Sequence, residues 1–586
     1  MNRSGLSSQR ARRAPSSRRP ATRAALLAGL ATALTMGGVG LFGAAASSAT
    51  PRHTTTTHSS HRTTTTAARR STHEKKHKKA AAPRTFLGPD GVESSAIVAE
   101  NKLPGTTAWQ ISGQPPTGSI AGFANTTYAS VGQKVSVYVT TTSPKFTVTA
   151  YRMGYYQGTG ARKIWQSAQL TGVTQPACPV TAAINMVSCD NWAPSLSFTV
   201  TKAWVQGDYL LKLVGSDGTQ GYVLLTVWDP TSTAAYVVVA RSLTEEGWND
   251  YGGFSYYTGS GPCTLGQHGT YPQCNRARVV SFDRPYSTGS GSSDFLSNEY
   301  PLVRFMEQHG LDAAYVTDVT VDQNPAILSK HKAILSLGHD ETWTTNERFG
   351  AQAAVADGVN LVFFGAAPVL RHSRLQPSPL GPVQEEVDYR DSTEDPLNGV
   401  AGDTMEVTGN TWTSPPTDMS ENGLVGQVYS GYLLTSPEEY AVPLVVQDAS
   451  AWIFKGTGLQ NGAQVPGVIE SDFDHIIPGQ AMPPNIEVMA HSPIPLTEAF
   501  TNEGQWAGKT YSDMTYYTTS AGAGVFDSGT VNWIHALSGC APTVTACGSA
   551  MVQKMTGNLL WLFGQGPVGS RDPSVANWQT VAPAGS

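Results

Sequence analysis

Residues 332–358, KAILSLGHDETWTTNERFGAQAAVADG, read as strand, elbow and helix. Ala333–Leu337 is an apolar run of strand length, too short for a helix. Thr344 and Glu347 have capping-box spacing, which starts a helix beside Thr345. Asp357-Gly358 stops that helix, and Val359–Phe364 is a second apolar strand. Strand, helix and strand in so short a span form a βαβ unit of a parallel sheet. Gly338-His339-Asp340-Glu341 then sits at the carboxyl end of the first strand, where open α/β sheets hold ligands.

Working outward, Ala235–Ala240 (AYVVVA) is another buried-strand run. A Gly/Tyr-rich loop follows from Trp248 to Gly261. Phe295–Gly310 is expected as helix, Asp312–Thr317 as strand and Gln323–Lys330 as a short helix. Alternating strands and helices with right-handed crossovers give a doubly wound sheet. Beyond Leu375 the pattern loosens into loops and further strands. Met551–Phe563 reads as an amphipathic helix, with Met551, Met555, Leu559, Leu560 and Phe563 facing inward. Residues 232–570 are assigned to this α/β domain and 571–586 to a C-terminal tail.

Residues 91–231 carry β signals instead. Lys134–Thr140, Phe146–Arg152 and Leu196–Thr201 alternate, and Asp208–Val214 and Gly221–Trp228 flank a Ser-Asp-Gly turn. Short strands without helical periodicity predict an antiparallel sandwich. The six cysteines fall into close pairs, none with CxxC spacing: Cys178 with Cys189, Cys263 with Cys274, and Cys540 with Cys547. Disulfides within loops, and so an oxidising compartment, are the expectation.

The N-terminus has the layout of an export signal. Residues 1–23 hold seven arginines and no acid, and Ala24–Thr50 is uncharged. Residues 1–49 are read as a signal peptide, an uncleaved anchor being the alternative and the sole route to membrane contact. Residues 50–90, rich in Thr, His and Lys, are a disordered spacer by composition. The protein is expected to be secreted or envelope-associated. The formal charge of −5 conceals sixteen bases against one acid within residues 1–84, so the remainder is strongly acidic. An acidic body argues against nucleic acid as partner.

His339 and Glu341, two apart on an extended segment, point the same way. An imidazole beside a carboxylate can bind a metal or divide the work of ligand and general base. The plainer alternative is a helix-capping turn. No cysteine lies near the elbow, which removes cysteine-nucleophile chemistry. Ser336 and Thr342 lie outside any G-x-S-x-G elbow. Upstream, Tyr251, Tyr256 and Tyr257 open at the same sheet edge. Phenol and carboxylate oxygens suit a hard ion such as ferric iron.

Seven stretches carry a wider resemblance: GFANTTYASVGQKVSVYV (122–139), YRMGYYQGTGAR (151–162), SFDRPY (281–286), GHDETW (338–343), DYRDSTEDP (388–396), WIFKGTGLQNG (452–462) and YYTTSAGAGVFDSGTVNW (516–533). With them the chain resembles the large (beta) subunit-like family of N,N-dimethylformamidase. The resemblance implies an immunoglobulin-like sandwich joined to a glutamine-amidotransferase-like α/β domain. It also implies hydrolysis of a small amide at one iron, held by two tyrosinates and a glutamate with a histidine alongside. On this sequence the histidine and glutamate fall on His339 and Glu341, and one tyrosinate on Tyr257. Trp248 stands at the second tyrosinate position, and Thr342 where relatives often carry tyrosine.

Two functions follow as expectations. One is an exported amide C–N hydrolase with Tyr257 and Glu341 on a metal (iron, or zinc) and His339 moving the proton. The other is a non-catalytic envelope protein gripping a sugar or peptide between Trp248, Tyr251, Tyr256, Tyr257 and Trp343.

Overall fold

The computed structural model describes residues 84–112, 119–265, 272–433, 442–477, 481–495, 499–501, 510–538 and 548–581, with the side chains of 261–274 and 499–501 outside that description. All of them belong to one contact-linked unit, Ala80–Ser586. The expected signal peptide and most of the spacer lie outside the described residues. Within the expected spacer, Thr85–Leu87 pairs with Val92–Ser94 as a small antiparallel ladder.

The chain is a multidomain mixed α/β protein with many sheets and few helices. At its centre is a seven-stranded sheet: β1 Tyr236–Ala240, β2 Ala313–Thr317, β3 Ala333–Leu337, β4 Asn360–Phe364, β5 Glu487–Ile494, β6 Thr510–Thr518 and β7 Gly524–Asp527. The order across the sheet is β2-β1-β3-β4-β7-β6-β5. β2, β1, β3, β4 and β7 run parallel, and β6 and β5 add an antiparallel edge. The parallel part thus has the doubly wound order whose ligand crevice lies between its first and third strands.

These strands are apolar throughout because both faces are covered. Tyr236 and Val238 of β1, with Val362 and Phe364 of β4, pack against Leu302, Phe305 and Leu560 of helices α2 (Tyr300–Gln308) and α4 (Ser549–Phe563). Val237, Val239, Leu361 and Phe363 turn the other way, onto Ala351, Ala354 and Val355 of α3 (Thr345–Ala356). Met551 departs from the expected inward face: it is exposed, one turn before the buried Met555. Residues 574–578 of the expected tail lie along β5, where Asn577 bonds both the N–H and the C=O of Val488.

The sandwich consists of a three-stranded sheet (Leu196–Thr199, Lys134–Thr141, Ile120–Ala124) against a larger one built on Gln220–Val227, Gly207–Gly215, Lys145–Met153 and Ala161–Gln166. Val135, Val137, Val148, Leu211, Leu213 and Leu225 fill the space between them. Residues of opposite parity on the larger sheet, Tyr151, Met153, Leu210 and Tyr222, belong to the same apolar layer as α2.

Of the three expected disulfides, the one observed among the described residues joins Cys178 to Cys189. Cys263 and Cys274 lie on the paired strands Gly259–Leu265 and Pro272–Arg276, with their side chains outside the described set. Cys540 and Cys547 both fall outside the described residues. The bond expected between Cys540 and Cys547 is therefore not among the observed contacts, and it stays an expectation from spacing.

One ion pair joins the sandwich to the α/β domain. Arg152 donates to Glu307 of α2 at 2.7 Å with both side chains fully buried. Tyr315 of β2 and Asn101 also donate to that carboxylate, at 2.8 and 2.5 Å. A buried pair with its remaining lone pairs filled is the arrangement in which Coulomb attraction can offset desolvation.

Candidate functional site

The crevice lies between the ends of β1 and β3. After β1 the chain enters a helix that the sequence reading lacked, α1 (Ser242–Trp248), whose residues up to Gly247 are buried. After β3 it turns sharply through Gly338, at φ +54°, a conformation that a Cβ disfavours. Gly365, beyond β4, comes so close that a Cβ there would lie 1.4 Å from the Gly338 carbonyl oxygen. The elbow is pinned from three directions. Arg241 donates to the His339 carbonyl at 3.1 Å, Thr244 accepts from the Thr342 N–H at 3.0 Å, and the Arg371 N–H donates to the Glu341 carbonyl at 2.7 Å. α3 then begins at the expected place, the Thr344 hydroxyl accepting from the Glu347 N–H.

Four side chains meet the Glu341 carboxylate. Tyr257 Oη donates to Oε1 at 2.5 Å and Arg371 Nε to the same oxygen at 2.9 Å. Trp248 Nε1 donates to Oε2 at 3.2 Å, and His339 Nε2 lies 3.4 Å from it. The Trp248 indole stacks on one face of the Tyr257 ring at 3.5 Å, and the Arg390 guanidinium lies 3.9 Å from its centroid. Glu341 is 4% exposed, His339 15% and Trp248 40%. Imidazole and indole therefore face solvent, and the carboxylate lies behind them.

The electrostatics follow from that burial. Desolvation alone would raise Glu341, but His339, Arg371 and Arg390 overcome it and hold the carboxyl at about 2. Burial and the neighbouring Glu341 push the Tyr257 phenol well above its usual value, against the pull of Arg390 and Arg371. Arg371 is raised in turn, Tyr257 and Glu341 outweighing its own desolvation. Asp340, between the two site residues, points elsewhere: it accepts from Ser336 at 2.7 Å, and burial raises it to about 6.

Of the residues singled out from sequence, His339, Glu341, Tyr257 and Trp248 come together. The other aromatics do not join them. Tyr251 packs with Phe123, Tyr138 and Trp192 beside the Cys178–Cys189 bond. Tyr256 is buried, its hydroxyl on the Glu386 carbonyl. Trp343 belongs to the apolar layer under α3. The five-ring crevice thus reduces to Trp248 over Tyr257. Arg371 and Arg390 went unmarked in the sequence reading, although Arg390 lies inside DYRDSTEDP.

A family model described as N,N-dimethylformamidase beta subunit-like, C-terminal, matches residues 147–547, more than half of the chain. The chain belongs to that family. It is also similar to the N,N-dimethylformamidase beta subunit of an Alcaligenes species, 22% identical over 412 residues, which cover 59% of this chain and 52% of that protein. The chain therefore spans about half the length of this relative.

The donor set can be weighed against the iron that the family resemblance implies. Among the described residues no group of three or more His, Cys, Asp or Glu side chains is placed to hold a metal. Tyr257 Oη and Glu341 Oε1 are two hard oxygens in contact. A cation held there would take the place of the proton between them, with the His339 nitrogen at the rim. These residues fit a metal held by Tyr257 and Glu341. They do not supply a second tyrosinate, because the Trp248 indole offers only an N–H donor.

Proposed function

We propose that this protein is an exported amide hydrolase that cleaves a small non-peptide C–N bond at the Glu341 centre. The observation that carries the reading is the convergence of Tyr257, His339, Arg371 and Trp248 on one buried carboxylate at the sheet's switch point. Family membership supports the reaction class. In the same reading the sandwich is immunoglobulin-like and the α/β domain glutamine-amidotransferase-like. Residues 1–49 are its export signal.

Tyr257 and Glu341 are the proposed ligands for iron, with zinc as the alternative ion. Such an ion, when bound, supplies Lewis-acid polarisation of an amide carbonyl and a more acidic water. The chain's own residues do the rest. Arg371 and Trp248 fix the carboxylate so that its orientation does not depend on the substrate. Arg390, against the Tyr257 ring, favours the phenolate. His339, part-exposed at the rim of the group around Glu341, takes a proton from attacking water and delivers it to the departing nitrogen.

The test is amine release from a panel of small N-alkyl amides, read beside elemental analysis of the purified secreted protein. Wild type is expected to release amine and to carry metal, and Glu341→Ala to lose both. Amine release surviving in Glu341→Ala, or none from metal-loaded wild type, rejects the reading.

A further inference from the structure

A second cavity lies between the sandwich and the α/β domain, and none of Tyr257, His339 and Glu341 lines it. Its volume is about 50 Å³. A water needs roughly 10–15 Å³ by this measure, so the space holds a few waters or one small organic molecule. The walls are largely apolar: Tyr209, Leu225, Phe282 and Phe295 contribute to them. Ligand sites favour such places between domains.

The ionisable side chains lining this cavity are mostly acids. Asp208 comes from the sandwich, Glu245 and Glu246 from α1, and Glu299 from the residue before α2. Glu246 is matched by Arg284 at 2.6 Å. Arg241 is shared, 3.4 Å from Glu299, 4.0 Å from Glu245, and bonded to Asp294. Asp208 has no such partner. Its Oδ1 accepts from Thr226 at 2.8 Å, and its Oδ2, buried from solvent, has no hydrogen-bond partner. Thr127 Oγ1, which also lines the cavity, is likewise without one, whereas Glu245 Oε1 faces Arg241. Asp208 is 4% exposed and Glu245 5%. Burial raises Asp208 to about 6 and, with Asp208 and Asp294 opposing Arg241, Glu299 to about 8. Buried carboxylate oxygens left unpaired are costly unless something donates to them.

We infer that this cleft is a binding site for a small alkylammonium ion, whose N–H groups donate to Asp208 Oδ2 and Thr127 Oγ1 while its alkyl groups meet Leu225, Phe282 and Phe295. The apolar walls favour an organic cation over a bare metal ion, which needs oxygen ligands on several sides. Glu245 and Trp248 share α1, so occupancy here bears on the helix that also reaches Glu341.

The test is calorimetric titration of the full secreted protein with methylammonium or dimethylammonium chloride at constant ionic strength. Sodium, potassium and tetramethylammonium chlorides serve as controls, the last because it lacks an N–H. Saturable binding of the N–H cations alone, weakened at least tenfold in Asp208→Asn, is the expected result. Should that variant fail to fold, Thr127→Val is expected to weaken binding as well. Equal binding of potassium or tetramethylammonium, or no binding by wild type, overturns the inference, as does affinity unchanged in the folded variant.

Discussion

Replacing Arg371 by methionine removes the guanidinium on Glu341 Oε1 and keeps most of the side chain's bulk. Glu341 stays buried and charged, with Tyr257, Trp248 and His339 left to hold it. Breaking one partner from a buried pair generally costs about 3–5 kcal/mol, because the other charge is left uncompensated. Arg371 is 12% exposed and three donors remain, so the lower end, about 3 kcal/mol, is expected here. The pKa bounds what His339, Arg371 and Arg390 contribute together. A carboxyl held at about 2 rather than 4.5 contributes about 3 kcal/mol. The folded value is the depressed one, so this stability is present above pH 4.5 and is lost as pH falls toward 2. In Arg371→Met the Glu341 value rises and the acid-unfolding curve shifts to higher pH. Urea midpoints at pH 7 and acid unfolding followed by circular dichroism measure both effects. Glu341→Gln combined with Arg371→Met should be less destabilised than the sum of the single variants, since the two side chains touch. A single variant within about 0.5 kcal/mol of wild type, or acid curves that superimpose, refutes the account of how Glu341 is held.

Trp248→Tyr places a second phenol against Glu341. The metal content of the purified protein is expected to rise, with stronger phenolate-to-iron absorption, and unchanged content and spectrum count against the assigned ligand position. Because Glu341 titrates at about 2, it remains ionised across the usual assay range. Any acid limb of kcat/KM near neutrality therefore does not come from Glu341 and should keep its position in Arg371→Met; a limb that moves in that variant refutes the assignment. The Cys178–Cys189 bond closes a short loop, separation 11, and Cys178→Ser/Cys189→Ser should lose about 2–3 kcal/mol, read as a lower Tm without reductant.

The sequence speaks most clearly where a segment's neighbours in space are its neighbours in the chain. The elbow was legible because β3 is five apolar residues and Thr344 caps through its own next turn. The sandwich strands alternate, and their observed limits fall within a residue or two of expectation. α1 was not legible: its buried face carries Thr244, Glu245 and Glu246, so no apolar period marks it. The helix expected from Phe295 is broken at Glu299, where a following proline and a backbone outside the helical region split it in two. Cysteine spacing paired Cys178 with Cys189 correctly, while the same rule applied to Cys540 and Cys547 reaches residues outside the described set. At the site, His339 and Glu341 are close in the chain and could be paired by spacing. Arg371, which opens the strand Arg371–Ser378, and Arg390 reach them by tertiary folding, and a lone basic residue gives no local sign of what it will meet. Tyr251 failed for the opposite reason, since a hydroxyl near the right loop proved to be anchored on the sandwich beside a disulfide.

The Arg152–Glu307 pair bears on how the molecule can be divided. Cutting the chain near Asp229, the obvious place on a domain diagram, would release an α/β fragment in which Glu307 loses its guanidinium and the apolar surface beside α2 loses its cover. Tyr151 and Leu210 would be exposed on the other fragment. Neither piece is self-sufficient by this reasoning, so deletion libraries, fusion partners and grafted variants of this scaffold should carry both halves as a single cassette.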